Sequence, residues 1–149
     1  MRRAERRTRT PDIGVLAAHL LFAVQRDLFG RLRELGFDDV RPRHGAVLAY
    51  LDEAGVRPGE LARQARRRKQ TIGAILDDLE RLGYLSRRPD PRDRRAALIV
   101  PTDRGLAFIR ASDAIIDEIE ARHVARIGAP AYARIKHHLH SITADEPAE

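Results

Sequence analysis

The sequence contains no cysteine, which excludes disulfides, thiolate metal ligands, cysteine nucleophiles and cysteine-based redox sensing. Lysine is almost as scarce. Lys69 and Lys136 are the only two, so arginine supplies the rest of the 28 basic residues. Its planar fork suits phosphate and guanine edges, although such a skew equally reflects genomic base composition. Aromatic residues make up 5% of the chain and form no stacking platform for RNA, and no basic amphipathic helix suggests a membrane surface. No apolar run approaches the roughly 18 to 20 residues of a bilayer span, and MRRAERRTRT lacks the apolar stretch of a secretory signal. The expectation is a soluble cytoplasmic protein without membrane contact. Its 149 residues, 43% hydrophobic and 34% charged, suffice for one domain but not for two independent cores.

What is present is positive charge, unevenly placed. Between Arg57 and Arg104 there are 13 basic and 7 acidic side chains, while outside this third of the chain the two signs are equal at 15 each. The whole excess of +6 therefore sits in one segment. A local basic segment points to a polyanion, because neutralising phosphates releases counterions. A solvated charged face would show the same count, so the charge needs a structural context.

Periodicity supplies one. Residues 1–9 carry five arginines and no apolar period, and read as a flexible arm. Thr10-Pro11-Asp12 reads as an N-cap, a first-turn proline and an acid, opening a helix of about 23 residues with Ile13, Ala17, Leu20, Leu21, Val24, Leu28, Leu32 and Leu35, stopped at Gly36. At 1.5 Å per residue it extends roughly 35 Å, too long for so small a domain to cover unless other helices or a partner subunit pack along it. A second helix is expected from Pro42, with Val47, Leu48 and Leu51, to Gly55. Two short helical patterns follow, one from Pro58 with Leu61, Ala62 and Ala65, the other with Ile72, Ile75, Leu76, Leu79 and Leu82 before Gly83. Leu85–Arg88 and Ala96–Val100 read as strands joined by a basic loop whose prolines exclude helix. Thr102 caps a long helix to Ile127, with Leu106, Ile109, Ile116, Ile119 and Val124 on one side. Gly128 and Pro130 precede a last helix with Tyr132, Ile135, Leu139 and Ile142, and an acidic tail expected to fray.

Helix, turn, helix and a basic hairpin together suggest a reading head for DNA. The second helix of the pair, Lys69 to Leu82, leaves Lys69, Gln70, Gly73, Ala74, Asp77 and Asp78 facing away from its apolar stripe. Gln70 can pair with adenine, and the Thr71 hydroxyl can bond a phosphate or base. Gly73 and Ala74 let the backbone approach closely. Asp77, Asp78 and Glu80 would repel phosphate, so contact belongs to the first two turns.

The run Gly59–Gly105 resembles the winged helix-turn-helix of the MarR family of bacterial transcriptional regulators. The resemblance rests on Glu60-Leu61-Ala62, Lys69-Gln70-Thr71, Leu79-Glu80-Arg81-Leu82-Gly83-Tyr84-Leu85, and Asp90-Pro91-x-Asp93-Arg94-Arg95 closing at Thr102-x-x-Gly105. It implies a mainly α fold with a small β-hairpin wing (α+β), as one domain over 1–149. Residues 40–105 would form the winged helix-turn-helix head, and 10–36 with 106–142 the helical dimerisation platform. It further implies a homodimer through the N- and C-terminal helices, bound as a repressor to double-stranded DNA at a pseudo-palindromic operator. The expected DNA contacts are Arg66, Arg67, Arg68, Lys69, Gln70, Thr71, Gly73, Ala74, Arg87, Arg92, Asp93, Arg94 and Arg95. Within them, Arg95 would enter the minor groove, oriented by Asp93.

The chain departs from the family in the turn. Ala65-Arg66-Arg67 stands where Leu-Gly and an apolar residue are usual, and Arg68 replaces a Ser or Thr cap, a loss of about 1 kcal/mol. Stronger non-specific DNA binding with weaker discrimination is the expected consequence. A fold kept for protein interaction or effector binding, without operator recognition, is the alternative. The resemblance also implies a small-molecule effector, for which His19, His44 and Tyr50 are pocket candidates. His123 and His137-His138-x-His140 raise a metal reading, but surface or interface histidines fit better, and no metal or cofactor is expected. No nucleophile–base pair or paired acids at diagnostic spacing suggests an enzyme.

Overall fold

The computed structural model describes Glu5, Arg9 and residues 11–144. Of the expected arm 1–9, only Glu5 and Arg9 are described, both with helical backbone; its other residues, like the tail 145–149, lie outside the described residues. Six helices and one hairpin follow: α1 (Ile13–Glu34), α2 (Gly45–Leu48, led by a 3-10 turn Pro42–His44), α3 (Pro58–Ala65), α4 (Lys69–Arg81), β1 (Leu85–Asp90), β2 (Asp93–Pro101), α5 (Asp103–Ile127) and α6 (Ala129–Thr143).

Asp12, not Thr10, caps α1. Its backbone is extended and its short carboxylate accepts the Val15 N–H at 3.0 Å. The helix ends as expected, with Gly36 at φ +96° and the Phe37 N–H returned to the Leu32 carbonyl at 2.9 Å. The second helix is shorter than its apolar spacing suggests. It stops at Leu48, and Leu51 reaches the core from the turn that follows. Gly55 is at φ +92°, and a Cβ there would stand 2.7 Å from Leu98 Cγ and 2.9 Å from Val100 Cγ1. That close approach lets Val56 exchange two 2.8 Å backbone hydrogen bonds with Ile99, a third, one-residue strand that periodicity could not reveal.

The hairpin is tighter than expected. Pairing runs from Leu85↔Pro101 through Pro89↔Ala97 and resumes at Asp90↔Asp93, so Pro91-Arg92 is the turn and residues 94–96 fall out of register. Pro89 is tolerated because β1 is an edge strand with a free N–H side. At the other end, Thr102 Oγ1 accepts the Gly105 N–H at 3.1 Å and donates to the Gly83 carbonyl at 2.6 Å, capping α5.

The core is one cluster in which Leu61, Ile72, Leu76, Leu79, Tyr84, Leu85 and Ile99 meet Leu32, Val47 and α5. On α5 the buried residues are Phe108, Ile115 and Ile119; Leu106, Ile109, Ile116 and Val124 of the expected stripe are only partly buried beside them. Phe37, Tyr84 and Phe108 pack edge to face or tilted, with centroids 5.4 to 6.3 Å apart.

Outside that cluster, apolar surface is left over. Helix α1 exposes Ile13, Leu16, Leu20, Leu21 and Phe22, and α6 exposes Ile135, Leu139 and Ile142 while burying no residue. Contrary to the expectation of no such run, α1 is long and apolar enough, by length and composition, to cross a membrane. Its other side explains that composition. Val24, Leu28 and Leu32 pack on the core, and Asp27 and Arg31 pair with Arg122 and Glu118 of α5.

Candidate nucleic-acid interface

Helix α4 is positioned from three sides. Ile72, Ile75, Leu76 and Leu79 are buried, which turns Lys69, Gln70, Ala74, Asp77 and Glu80 outward and leaves Thr71 and Gly73 partly covered. Arg68 stands at its N-cap with no side-chain hydrogen bond to the helix, so the uncapped start foreseen from the sequence is present. Arg66 closes α3 in the left-handed region at φ 53°, ψ 44°, the only described non-glycine residue at positive φ.

The acids of α4 do not face solvent unpaired. Asp78, expected to point away from the core, is drawn under the helix, where its Oδ2 lies 2.6 Å from His44 Nε2 and 2.5 Å from Arg43 Nη2, and Oδ1 takes Arg81. The His44 hydrogen bond, then that of Arg81, hold the Asp78 carboxyl below its ordinary value. Arg87 reaches across from β1 to Asp77 at 2.6 Å and Glu80 at 2.7 Å. Burial works against its charge, but those two carboxylates outweigh it and raise the Arg87 pKa. Arg87 is thus placed as a cover for acids on α4, a contact that its sequence position did not reveal.

By contrast, Arg68, Lys69, Arg94 and Arg95 are exposed and make no ion pair with an acid of the described residues. Arg66 is engaged elsewhere, on the carbonyls of Thr143 and Ala144. Arg67 is exposed on the same turn.

Two acids shape the wing. Asp90 is buried, accepts Arg57 Nε at 2.7 Å and the Arg92 N–H at 2.9 Å, and has its pKa lowered first by that backbone bond and then by Arg57. It fastens the wing tip to the start of α3. Asp93 Oδ1 accepts the Arg95 backbone N–H at 3.0 Å, so it shapes the bulge rather than holding the guanidinium expected of it. Behind the wing, Tyr84 donates to Asp39 at 2.5 Å and Arg104 lies 4.8 Å over its ring; burial first, then Asp39, push its hydroxyl up to about 12.

The three pocket candidates are not brought together. His19 is exposed on α1, and His44 is buried with both ring nitrogens used, Nδ1 accepting the Arg41 N–H at 2.9 Å. Tyr50 lines a cleft of about 710 Å³ with Arg57, Asp90 and Arg92 beside the wing. A separate cleft of about 570 Å³ opens between α1 and the Pro42 turn, lined among others by Phe22, Phe29, Arg26, Arg33 and Arg41. Nothing local in the sequence joins those residues. His123 Nδ1 lies 3.1 Å from the Tyr132 hydroxyl, and among the described residues no three potential ligands gather for a metal.

Residues 38–96 match the MarR family profile. An uncharacterised HTH-type transcriptional regulator of Bacillus subtilis is 42% identical over 52 residues, 34% of each chain. An HTH-type transcriptional repressor of Mycobacterium tuberculosis is 30% identical over 91 residues, 61% of this chain and 66% of the relative. The chain thus aligns with about one third and two thirds of their lengths. Among solved structures, CouR of Rhodococcus jostii bound to p-coumaroyl-CoA is 26% identical, with TM-score 0.74 over 93% of this chain and 96% of that one. MepR of S. aureus in complex with DNA shares the fold, with TM-score 0.74 at 21% identity over 91% and 98% of the two chains. These relatives are regulators, not enzymes. With its winged helix-turn-helix order of elements, the chain belongs to the MarR family.

Proposed function

We propose that this protein is a transcriptional regulator, a repressor, that binds double-stranded DNA as a homodimer on a pseudo-palindromic operator, in the cytoplasm and associated with the nucleoid. The first turns of α4 enter the major groove with Lys69, Gln70, Thr71, Gly73 and Ala74. Arg67 and Arg68 meet the adjoining backbone, and Arg92, Arg94 and Arg95 carry the wing to the minor groove. The carrying observation is electrostatic. All three acids of α4 are paired with Arg or His, while Arg68, Lys69, Arg94 and Arg95 are left without an acid of the described residues. Phosphate is the counter-charge such a surface lacks.

The exposed apolar faces of α1 and α6 support the dimer, since a monomer would leave both in water. This divides the chain into a head over residues 40–105 and a platform from 10–36 and 106–142. An effector would enter the arginine-lined cleft between α1 and the Pro42 turn, where Phe22 and Phe29 suit an apolar or aromatic body and Arg26, Arg33 and Arg41 an anionic group. Bound at the joint of platform and head, it would shift the population competent for DNA.

Selecting duplex fragments of the source genome on the purified protein tests the reading. A shared inverted-repeat site in the retained fragments is expected; retention of no sequence above background would leave the alternative of a fold kept for interaction only.

A further inference from the structure

The cleft between α1 and the Pro42 turn is joined to α4 through a single histidine ring. Arg41 lines that cleft with Arg26 and Arg33, and none of the three pairs with an acid of the described residues. The Arg41 guanidinium is folded back on its own turn, where Nη1 donates to the Asp38 carbonyl at 2.6 Å and to the Val40 carbonyl at 3.3 Å. The Arg41 N–H donates to His44 Nδ1 at 2.9 Å, and the His44 N–H returns to the Arg41 carbonyl at 2.9 Å. From the far side of the same ring, Nε2 donates to Asp78 Oδ2 on α4 at 2.6 Å.

This chain of contacts is built to transmit a displacement rather than absorb it. Arg41 and His44 are tied in both directions across a 3-10 turn whose Pro42 has a fixed φ, and the His44 ring is buried with both nitrogens used. At the other end, Asp78 is the tenth of the thirteen residues of α4. Arg68 gives the start of that helix no side-chain cap, so only the apolar face holds it there. A shift at Asp78 is therefore expressed as a tilt at Lys69 to Thr71, roughly 10 to 14 Å away along the helix.

We propose that His44 is a positioning residue that relays the state of the cleft to α4. An anion drawn to Arg26, Arg33 and Arg41 takes the Arg41 guanidinium from the Asp38 and Val40 carbonyls, the Arg41 peptide moves with it, and the His44 ring carries the movement to Asp78. The inference rests on the effector reading for the ligand, though not for the coupling itself. A ligand shifts a conformational equilibrium only by its difference in affinity for the two states, and the carbonyl-bound and anion-bound positions of Arg41 supply that difference. The relay is separable from the capping of the turn. Asn at position 44 offers an oxygen to the Arg41 N–H in place of Nδ1 but stops short of Asp78.

The test follows the backbone amide resonances of Leu76, Asp77 and Leu79 in the DNA-free full chain. Arg41→Ala, which removes the guanidinium from the cleft, is expected to shift them in the parent and to shift them at least threefold less in a His44→Asn background. Asp78→Ala cuts the relay at its other end and is expected to silence it equally, so the outcome does not hinge on one buried substitution. Equal shifts with and without the relay, or no shift in the parent, would overturn the proposal. Titration with 2-naphthoate, an aromatic carboxylate, extends the comparison to a ligand. The Gln25, Gly30 and Arg41 amides are expected to move in both the parent and His44→Asn, and those of α4 in the parent alone; α4 amides that follow the titration equally in both would overturn the relay. If 2-naphthoate left the cleft amides unmoved, the reading of the cleft as an aromatic-anion site would fall, while the Arg41→Ala comparison still decided the relay.

Discussion

His44 Nε2 lies 2.6 Å from Asp78 Oδ2, and this contact fastens the start of α2 to the middle of α4. Nδ1 accepts the Arg41 N–H, which assigns the ring proton to Nε2. The pair is local in space and 34 residues apart in sequence, so it sets the tilt of α4 against the rest of the head. Replacing His44 with Ala removes a buried, doubly bonded ring; a loss of about 2 kcal/mol is expected in chemical denaturation.

The same contact has a pH signature. Asp78 is held below its ordinary 3.8 in the folded state, first by His44 and then by Arg81. Its contribution to stability is therefore complete above that ordinary value and is lost as pH falls from there through the lower folded-state value. Asp39 and Asp90 are shifted the same way, Asp39 because the hydrogen bonds from Tyr84 and Arg104 outweigh its burial. The Asp78→Asn variant should show a shallower loss of stability on acidification than the parent in denaturant titrations stepped through that range. An identical acid slope would contradict the assignment.

A Cβ on Gly105 would stand 2.0 Å from the Tyr84 carbonyl oxygen, an atom of the backbone that cannot swing aside. Gly105→Ala should cost about 3 kcal/mol, the upper range for forced overpacking, and lower the melting temperature accordingly. Arg66 is the opposite case. Its left-handed backbone strains a side chain but suits glycine, and both Arg66→Gly and Arg66→Ala lose the guanidinium contacts to Thr143 and Ala144, so Arg66→Gly should be more stable than Arg66→Ala by about 1 kcal/mol, read as a shift of the denaturation midpoint without a change in slope.

Arg87 separates two roles that sequence position alone leaves merged. As a cover for Asp77 and Glu80, its loss exposes two carboxylates beside DNA. Arg87→Ala should weaken duplex binding, and adding Asp77→Asn and Glu80→Gln should restore it. If Arg87 were a phosphate contact, the added neutral substitutions would not return the affinity to the parent's value.

How far the sequence carried this molecule depended on range. The helix pair was legible because Ile72, Ile75, Leu76 and Leu79 recur at helical spacing between Pro58 and Gly83, signals that need only a few neighbouring residues. Leu51 misled, since an apolar residue in register with Val47 and Leu48 extends a helical pattern even where the chain has already turned. Pro89 misled differently: a breaker in general, it is harmless on an edge strand. The positive φ at Arg66 gave no local sign, because the glycine that would mark it is absent. His44–Asp78, Arg57–Asp90 and the covering of Asp77 and Glu80 by Arg87 depend on tertiary approach, so the site's cations could be counted from the sequence while their pairing could not.

In this reading Arg94 and Arg95 of the wing, with Arg68 and Lys69 at the start of α4, meet phosphate or groove, since no acid of the described residues pairs with them. Its most direct measurement is the salt dependence of binding to a random-sequence duplex by the parent and by the Arg94→Ala, Arg95→Ala double variant. Weaker binding is expected in the variant, with the slope of log affinity against log salt reduced by roughly 1.8, about 0.9 for each arginine removed from the phosphates. The same affinity and the same slope in both proteins would contradict it.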